Sequence, residues 1–327
     1  MTTFEPINNL VPIVGKWDLS GPERPIYQAP QAEFGKPFGI CVSGIRFVEG
    51  EARVTIKIPH FKKENDSSGR ILIGYRALEA PYLLVGFGGS RFAYTLYQFE
   101  SGTGWQPILL CGNADNIVSG KSYKISVHIQ GQRLIFKESN ITVFEHLLKS
   151  PIPVGQLGLF TWGPDQVEFI DFSVRQDCGS AFAVMEFAEP YLGLYNEVIK
   201  PVVESKPFKL KALHAGEAFG RVILQDILRG LEEARVVIAE ITPANKNVFY
   251  ELGYAHALRK DTILLVEKDC VDELPFDIKG YRCILYENTI VGKGRIQTEL
   301  KDHLEAIIQP DRGTEDGQAV SNATGES

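Results

Sequence analysis

The chain has 327 residues, of which 44% are apolar and 23% charged, with a net charge of −7. That length exceeds what one hydrophobic core usually organises and predicts two folded domains, while the composition excludes a disordered body. The negative balance, without a clustered Lys/Arg excess, argues against wrapping bare nucleic acid, although local backbone donors can still hold a small anionic ligand. The five cysteines, Cys41, Cys111, Cys178, Cys270 and Cys283, are widely spaced with no CxxC pair, so neither a disulfide framework nor a zinc site is expected. Residues 1–17 lack the basic-then-apolar layout of a secretory signal, and no apolar run approaches the roughly 20 residues that span a bilayer. The expectation is a protein of the reducing cytoplasm, with no membrane or nucleic-acid partner and no metal or resident cofactor.

Over residues 38–174 the dominant signal is period-two alternation, as in Val54, Ile56 and Ile58 set against Arg53, Thr55 and Lys57. Further strand-like runs are 71–76, 82–87, 92–99, 123–129, 133–137 and 167–174, and Gly131-Gln132 reads as a tight hairpin loop. Many short strands with few helical stretches predict a sandwich or jelly roll over residues 1–176. The runs 123–134, 155–163 and 167–174 resemble the closing strands of laminin-G-like, concanavalin-type jelly rolls. That architecture carries lectins, glycosidases and interaction modules alike, so it implies at most a carbohydrate or protein ligand. Trp105 and Trp162 have two readings, stacking on a sugar ring or packing the core or rim, and packing is the more common use of an aromatic.

After Cys178-Gly179 apolar runs alternate with helix-period segments, the pattern of βαβ units. Strands are expected at 181–185, 208–213, 235–239, 262–266 and 282–286, with helices at 191–204, 221–233, 248–258 and 296–308. Five strands with crossovers predict a parallel α/β domain over 177–310 with the flavodoxin-like order 2-1-3-4-5. Residues 311–327 are polar and almost free of large apolar side chains, and are expected to form a disordered tail. The linker 177–180 reaches at most about 14 Å, too short for a flexible tether.

In an open parallel sheet, ligands bind beyond the carboxyl ends of the strands where strand order reverses, here between the first and third strands. The loops to examine are therefore 186–190 and 240–247. Asn247 is the expected cap of a helix opening at Val248, whose first-turn N–H groups suit a phosphate or ribose oxygen. On the helical wheel Val248, Leu252, Ala255 and Leu258 form the buried stripe, and Glu251 falls at its edge. Desolvation there would raise its pKa and suit a proton-handling or nucleophilic carboxylate; spacing alone equally allows a first-turn Glu that stabilises the helix dipole. His256 reads as a structural partner. Walker-type and GxGxxG phosphate loops are absent from the sequence.

The runs 181–187 (Ala-Phe-Ala-Val-Met-Glu-Phe), 226–242 and 245–258 (Asn-Lys-Asn-Val-Phe-Tyr-Glu-Leu-Gly-Tyr-Ala-His-Ala-Leu) resemble the bacterial TIR-like and nucleoside 2-deoxyribosyltransferase-like family, over residues 181 to about 286. The resemblance implies that Glu251, in the Glu-Leu-Gly motif, is the catalytic carboxylate that attacks or stabilises the anomeric carbon of an N-ribosyl bond. It implies NAD or a related nucleotide as substrate, activation by self-assembly, and a place in bacterial antiviral defence. Phe187, Glu217, Glu240, Thr242, Asn247 and Tyr254 form the expected substrate-binding set. The family's usual Asp after the second strand is replaced by Gly216, and Glu240 stands where Asp is common. The alternatives are a nucleotide-sensing module without chemistry and a nucleoside deoxyribosyltransferase.

Overall fold

A computed structural model describes residues 3–28, 37–152, 154–217, 223–242 and 245–308; the tail expected at 311–327 lies outside the described residues. The chain divides after Gly179 into two units, with residues 232–234 grouping with the first.

In the first unit, period-two alternation becomes two antiparallel sheets. One sheet takes Ile141–Leu147, Arg133–Glu138, Ser122–Gln130, Gly50–Lys57, Val167–Gln176, Ile26–Gln28 and Lys16–Asp18 in that order, with Glu5–Pro6 also paired to Val167–Gln176. The other takes Gly104–Cys111, Tyr94–Glu100, Tyr82–Gly88, Ser68–Tyr75, Gly155–Trp162, Phe38–Phe47 and Leu10–Val14. Strands distant in sequence are neighbours, as where Gly155–Trp162 lies between Phe38–Phe47 and Ser68–Tyr75, so the unit is a jelly-roll sandwich. The core lies between the sheets: Ala52, Val54 and Ile56 of one and Ile71, Ile73 and Val85 of the other are at most 1% exposed. Gly131-Gln132 joins its two strands as expected, with Gln130 opposite Arg133.

Gly104–Cys111 and Ile141–Leu147, which the sequence pattern does not reveal, are outermost strands of their sheets, as are Leu10–Val14 and Lys16–Asp18 at the opposite edges, which it also misses together with the short Glu5–Pro6 and Ile26–Gln28. An edge strand is solvated along one side and loses the clean alternation of an inner one; Pro107, which cannot donate to a ladder, is tolerated there at a register shift.

The aromatic pair settles into a second apolar layer, on the face of the seven-stranded sheet turned away from the core. Trp105 and Trp162 meet edge-on at 5.6 Å between ring centroids and pack with Phe38 and Phe160 over Ile40 and Leu72. They are half-buried, so both pack the rim and keep an accessible edge.

Among the described residues the second unit contains five strands, β1 (Ser180–Val184), β2 (Lys211–His214), β3 (Val236–Glu240), β4 (Asp261–Glu267) and β5 (Cys283–Tyr286). All pair in parallel, in the spatial order β2-β1-β3-β4-β5. Between them run α1 (Tyr191–Leu194), which passes through a π-helical turn (Tyr195–Ile199) into α2 (Lys200–Glu204), then α3 (Ile223–Glu233) and α4 (Lys246–Ala257), and α5 (Ile290–Ile308) follows β5. Ala181, Ala183, Val236, Ile238, Ile263, Leu265 and Ile284 face α1, α2 and α5 in one core. The alternate residues face the other way, where the Phe182 ring lies against Gly230 of α3. Helix α5 opens at Ile290, before the expected 296, because its first turn is solvent-facing and carries no apolar periodicity: Ile290 is 91% exposed.

Candidate functional site

Beyond the carboxyl ends of β1 and β2, a cavity of about 690 Å³ opens between the loops and α4. Met185 to Phe187, following β1, and Ala215 with Gly216, following β2, form one side; Leu224 and Ile227 of α3 and the first turns of α4 form the other. This is the end of a parallel sheet at which the crossovers leave room for a ligand.

Helix α4 begins earlier than the sequence pattern places it. Asn245, in extended conformation, is the cap, its side-chain oxygen accepting from the Asn247 N–H at 2.9 Å. The expected capping role of Asn247 is therefore corrected. Asn-Lys-Asn offers two competent caps two residues apart, and only the path of the chain into the helix chooses between them. Asn247 is instead exposed within the first turn and lines the cavity.

Glu251 follows one turn later, on the cavity wall, beside the buried Val248, Leu252 and Ala255. It is 8% exposed, and among the described residues its carboxylate makes no hydrogen bond or ion pair. Burial alone pushes its pKa up to about 7. An unpaired carboxylate poised between its two protonation states at neutral pH can accept a proton or stabilise a cation brought to it.

Phe187 lines the same cavity, 41% exposed, with its ring tilted against His214 at 5.2 Å. Gly216 donates its N–H to His214 Nδ1 at 3.1 Å. A Cβ at Gly216 would come within 3.0 Å of the His214 ring and 3.2 Å of Phe187, so a carboxylate-bearing residue here would displace both rings. Tyr250, 57% exposed, adds a second aromatic to the wall. Its neighbour status to Glu251 hid it, since adjacent helical positions point about 100° apart.

Glu240, Thr242 and Tyr254 lie elsewhere. Glu240 ends β3 with the parity of Val236 and Ile238, and so faces α1 and α5, across the sheet from Glu251. It is 1% exposed, and burial pushes its pKa up to about 8 against hydrogen bonds from Thr242 and Tyr286. Thr242 is buried; its N–H donates to Glu240 Oε1 at 2.7 Å and its hydroxyl accepts from the Glu267 N–H at 2.9 Å, which ties the end of β3 to that of β4. Tyr254 is half-buried and does not line the cavity. The side chain of Glu217 lies outside the described residues. His256 stacks on Tyr281 at 4.7 Å, and burial lowers its pKa, as befits a structural partner.

Around Glu240 the structure gathers a group that the sequence reading missed. Glu267 and Tyr286, at the ends of β4 and β5, line a cavity of about 420 Å³ with Tyr191 of α1. Burial, with Glu240 and Glu267 beside it, pushes the Tyr191 hydroxyl up to about 12. The signal was present in the sequence: Glu240, Glu267 and Tyr286 each continue the core parity of their strand by one residue.

No protein-family model matches the chain, and no curated protein matches it. Among solved structures, a carbohydrate-binding module from Bacillus subtilis aligns with a TM-score of 0.43 and 14% identity, covering 51% of this chain and 94% of that one. A β-glucanase from Bacillus licheniformis aligns at 0.40 and 10%, covering 54% and 98%. A prokaryotic β-1,3-1,4-glucanase (lichenase) derived from a mouse hindgut metagenome aligns at 0.39 and 10%, covering 53% and 98%. Scores in this range transfer neither activity nor ligand, and the sandwich assignment rests on the strand pairing itself. Among the described residues no helix is long and apolar enough to cross a membrane.

Proposed function

We propose that the second unit, read as a flavodoxin-like, TIR-like domain, binds NAD or a related nucleotide in the 690 Å³ cavity and cleaves its N-glycosidic bond with Glu251. The observation that carries this reading is the buried, unpartnered Glu251 carboxylate on the wall of a cavity at the strand ends. The cationic nicotinamide ring leaves with the electrons of the C–N bond and needs no protonation. The ribose is left with oxocarbenium character, which an ionised Glu251 stabilises electrostatically or traps as an ester. Water then adds to the anomeric carbon and releases a proton, giving ADP-ribose. Phe187 and Tyr250 offer faces for a base, and Asn247 at the positive end of α4 offers a donor to ribose or phosphate.

The test is incubation of the purified chain with NAD, with chromatographic detection of nicotinamide and ADP-ribose, beside Glu251→Gln. Release by the native chain and not by the variant supports the reading; equal release by both overturns it. Self-assembly through the sandwich is the proposed activating step, so release is expected to rise with protein concentration faster than linearly.

Gly216 favours a second reading, a nucleotide sensor without turnover, because the position lacks a polar side chain to hold ribose. Calorimetric binding of NAD with no product separates it from the first. Base exchange between deoxynucleosides would instead identify a deoxyribosyltransferase.

A further inference from the structure

Arg70 stands in the middle of the seven-stranded sheet, on the face turned away from the core, yet it is only 8% exposed. Its register explains how. Gly86 lies beside it on one flanking strand, Phe160 on the other, and Thr95 lies beside Gly86 on the strand beyond. Because Gly86 has no side chain, the arginine stem crosses that strand: a Cβ there would approach Arg70 Cα to 2.6 Å and Cγ to 2.9 Å. Nε then reaches the Thr95 hydroxyl at 3.0 Å. The guanidinium carbon lies 5.1 Å from the Tyr97 ring centroid and 5.7 Å from that of Phe160.

Among the described residues nothing accepts a hydrogen bond from either terminal nitrogen of Arg70, and it forms no ion pair. A cavity of about 220 Å³ opens on it, walled by Tyr97, Trp105, Phe160 and Trp162 and carrying the exposed Asp66. Burial lowers the guanidinium only to about 10, so it stays charged at neutral pH. An unpaired buried charge is costly unless a counter-charge reaches it, and the fork of a guanidinium fits a carboxylate in bidentate fashion. The indole and phenol faces suit the C–H surface of a ring, and the volume admits one six-membered sugar ring. Asp66, whose charge partly offsets that of Arg70, disfavours a dianion such as phosphate more than a single carboxylate, and it supplies an acceptor for a hydroxyl.

We propose that this cavity binds a carboxylated sugar residue, a uronic acid. Its carboxylate meets the terminal nitrogens of Arg70, its ring lies against Trp105 and Trp162, and a hydroxyl donates to Asp66. The site is independent of the nucleotide reading of the second unit.

The experiment is titration calorimetry of the full chain, at fixed ionic strength, with disaccharides of glucuronic, galacturonic and mannuronic acid, their methyl esters, and hexanoate. At least one acid disaccharide is expected to bind, with its ester at least about 10-fold weaker, since a charge-assisted bond is lost while the ring is kept. Hexanoate, which has the charge and no ring, is expected to bind at least about 10-fold more weakly than the acid sugar. Arg70→Lys and Trp105→Ala, checked by circular dichroism, are each expected to weaken the acid sugar about 10-fold. Binding of no acid disaccharide, equal binding of acid and ester, or equal binding of hexanoate would each overturn the proposal, and these arms need only the native chain.

Discussion

Among the described residues, each unit carries an unpartnered ionisable side chain on a cavity wall, Arg70 in the first and Glu251 in the second, and the two have opposite sign. Arg70 and Glu251 are both 8% exposed. The same desolvation acts on both, lowering the guanidinium to about 10 and raising the carboxyl to about 7. A carboxyl starts below neutrality and a guanidinium far above it, so burial carries Glu251 into the working pH range and leaves Arg70 ionised. Glu251 can therefore change its charge during a reaction. Arg70 can only offer a fixed one, which suits recognition and not proton transfer.

The sharpest way to break this comparison is Glu251→Gln. Loss of one transition-state carboxylate is expected to lower NAD cleavage by about 10²–10³-fold, measured as nicotinamide release. On the proposed mechanism the ionised form does the work, so the native rate is expected to rise with pH through about 7, and the variant's residual rate is expected to lack that limb. Next in size is Phe187→Ala. If the exposed ring stacks on a base, its removal is expected to raise KM by about 10-fold with a smaller effect on kcat.

Stability offers a third test, with a definite sign. Glu251 holds its proton more tightly in the folded chain than in the unfolded one, so between about pH 4.5 and 7 the unfolded state binds fewer protons and folding stability falls as pH rises. Glu251→Gln is expected to raise the melting temperature by a few degrees at pH 8 and to leave it unchanged at pH 4, as read by calorimetry. A smaller effect separates the two asparagines of α4. Asn245→Ala removes the cap and is expected to cost about 1 kcal/mol in chemical denaturation, whereas Asn247→Ala is expected to cost less than about 0.5 kcal/mol. The smallest expected effect is that of Glu240→Gln on cleavage, under about 3-fold, because Glu240 faces the other side of the sheet. A loss as large as that of Glu251→Gln in a folded variant would place both carboxylates in one mechanism.

Legibility along the chain followed the local periodicity. The alternation of Val54, Ile56 and Ile58 specified a half-buried strand without reference to its partners, because side-chain direction repeats every two residues. The stripe Val248, Leu252 and Ala255 likewise placed Glu251 at the edge of a buried face, because 3.6 residues per turn dictates which positions share a side. The edge strands Gly104–Cys111 and Ile141–Leu147 escaped because they end their sheets and are only partly buried, and a pattern of burial cannot be written where burial is partial.

What concerned the relation of distant segments was decided by tertiary structure. Glu240 and Glu251 are both acidic and close to the same loop in sequence, but strand parity turns the first toward α1 and α5, while helix packing turns the second into the cavity beyond β1 and β2. Arg70 reads in sequence as an ordinary polar position of a strand. Its burial follows from Gly86, Thr95 and Phe160 being brought beside it by pairing with other strands, and the register of a sheet is a property of several segments at once. The sequence alone therefore determined the kinds of element and the direction of their faces, which are local consequences of backbone geometry. Which charges end up buried without partners depended on long-range pairing, because desolvation is set by the atoms that surround a group and not by its neighbours along the chain.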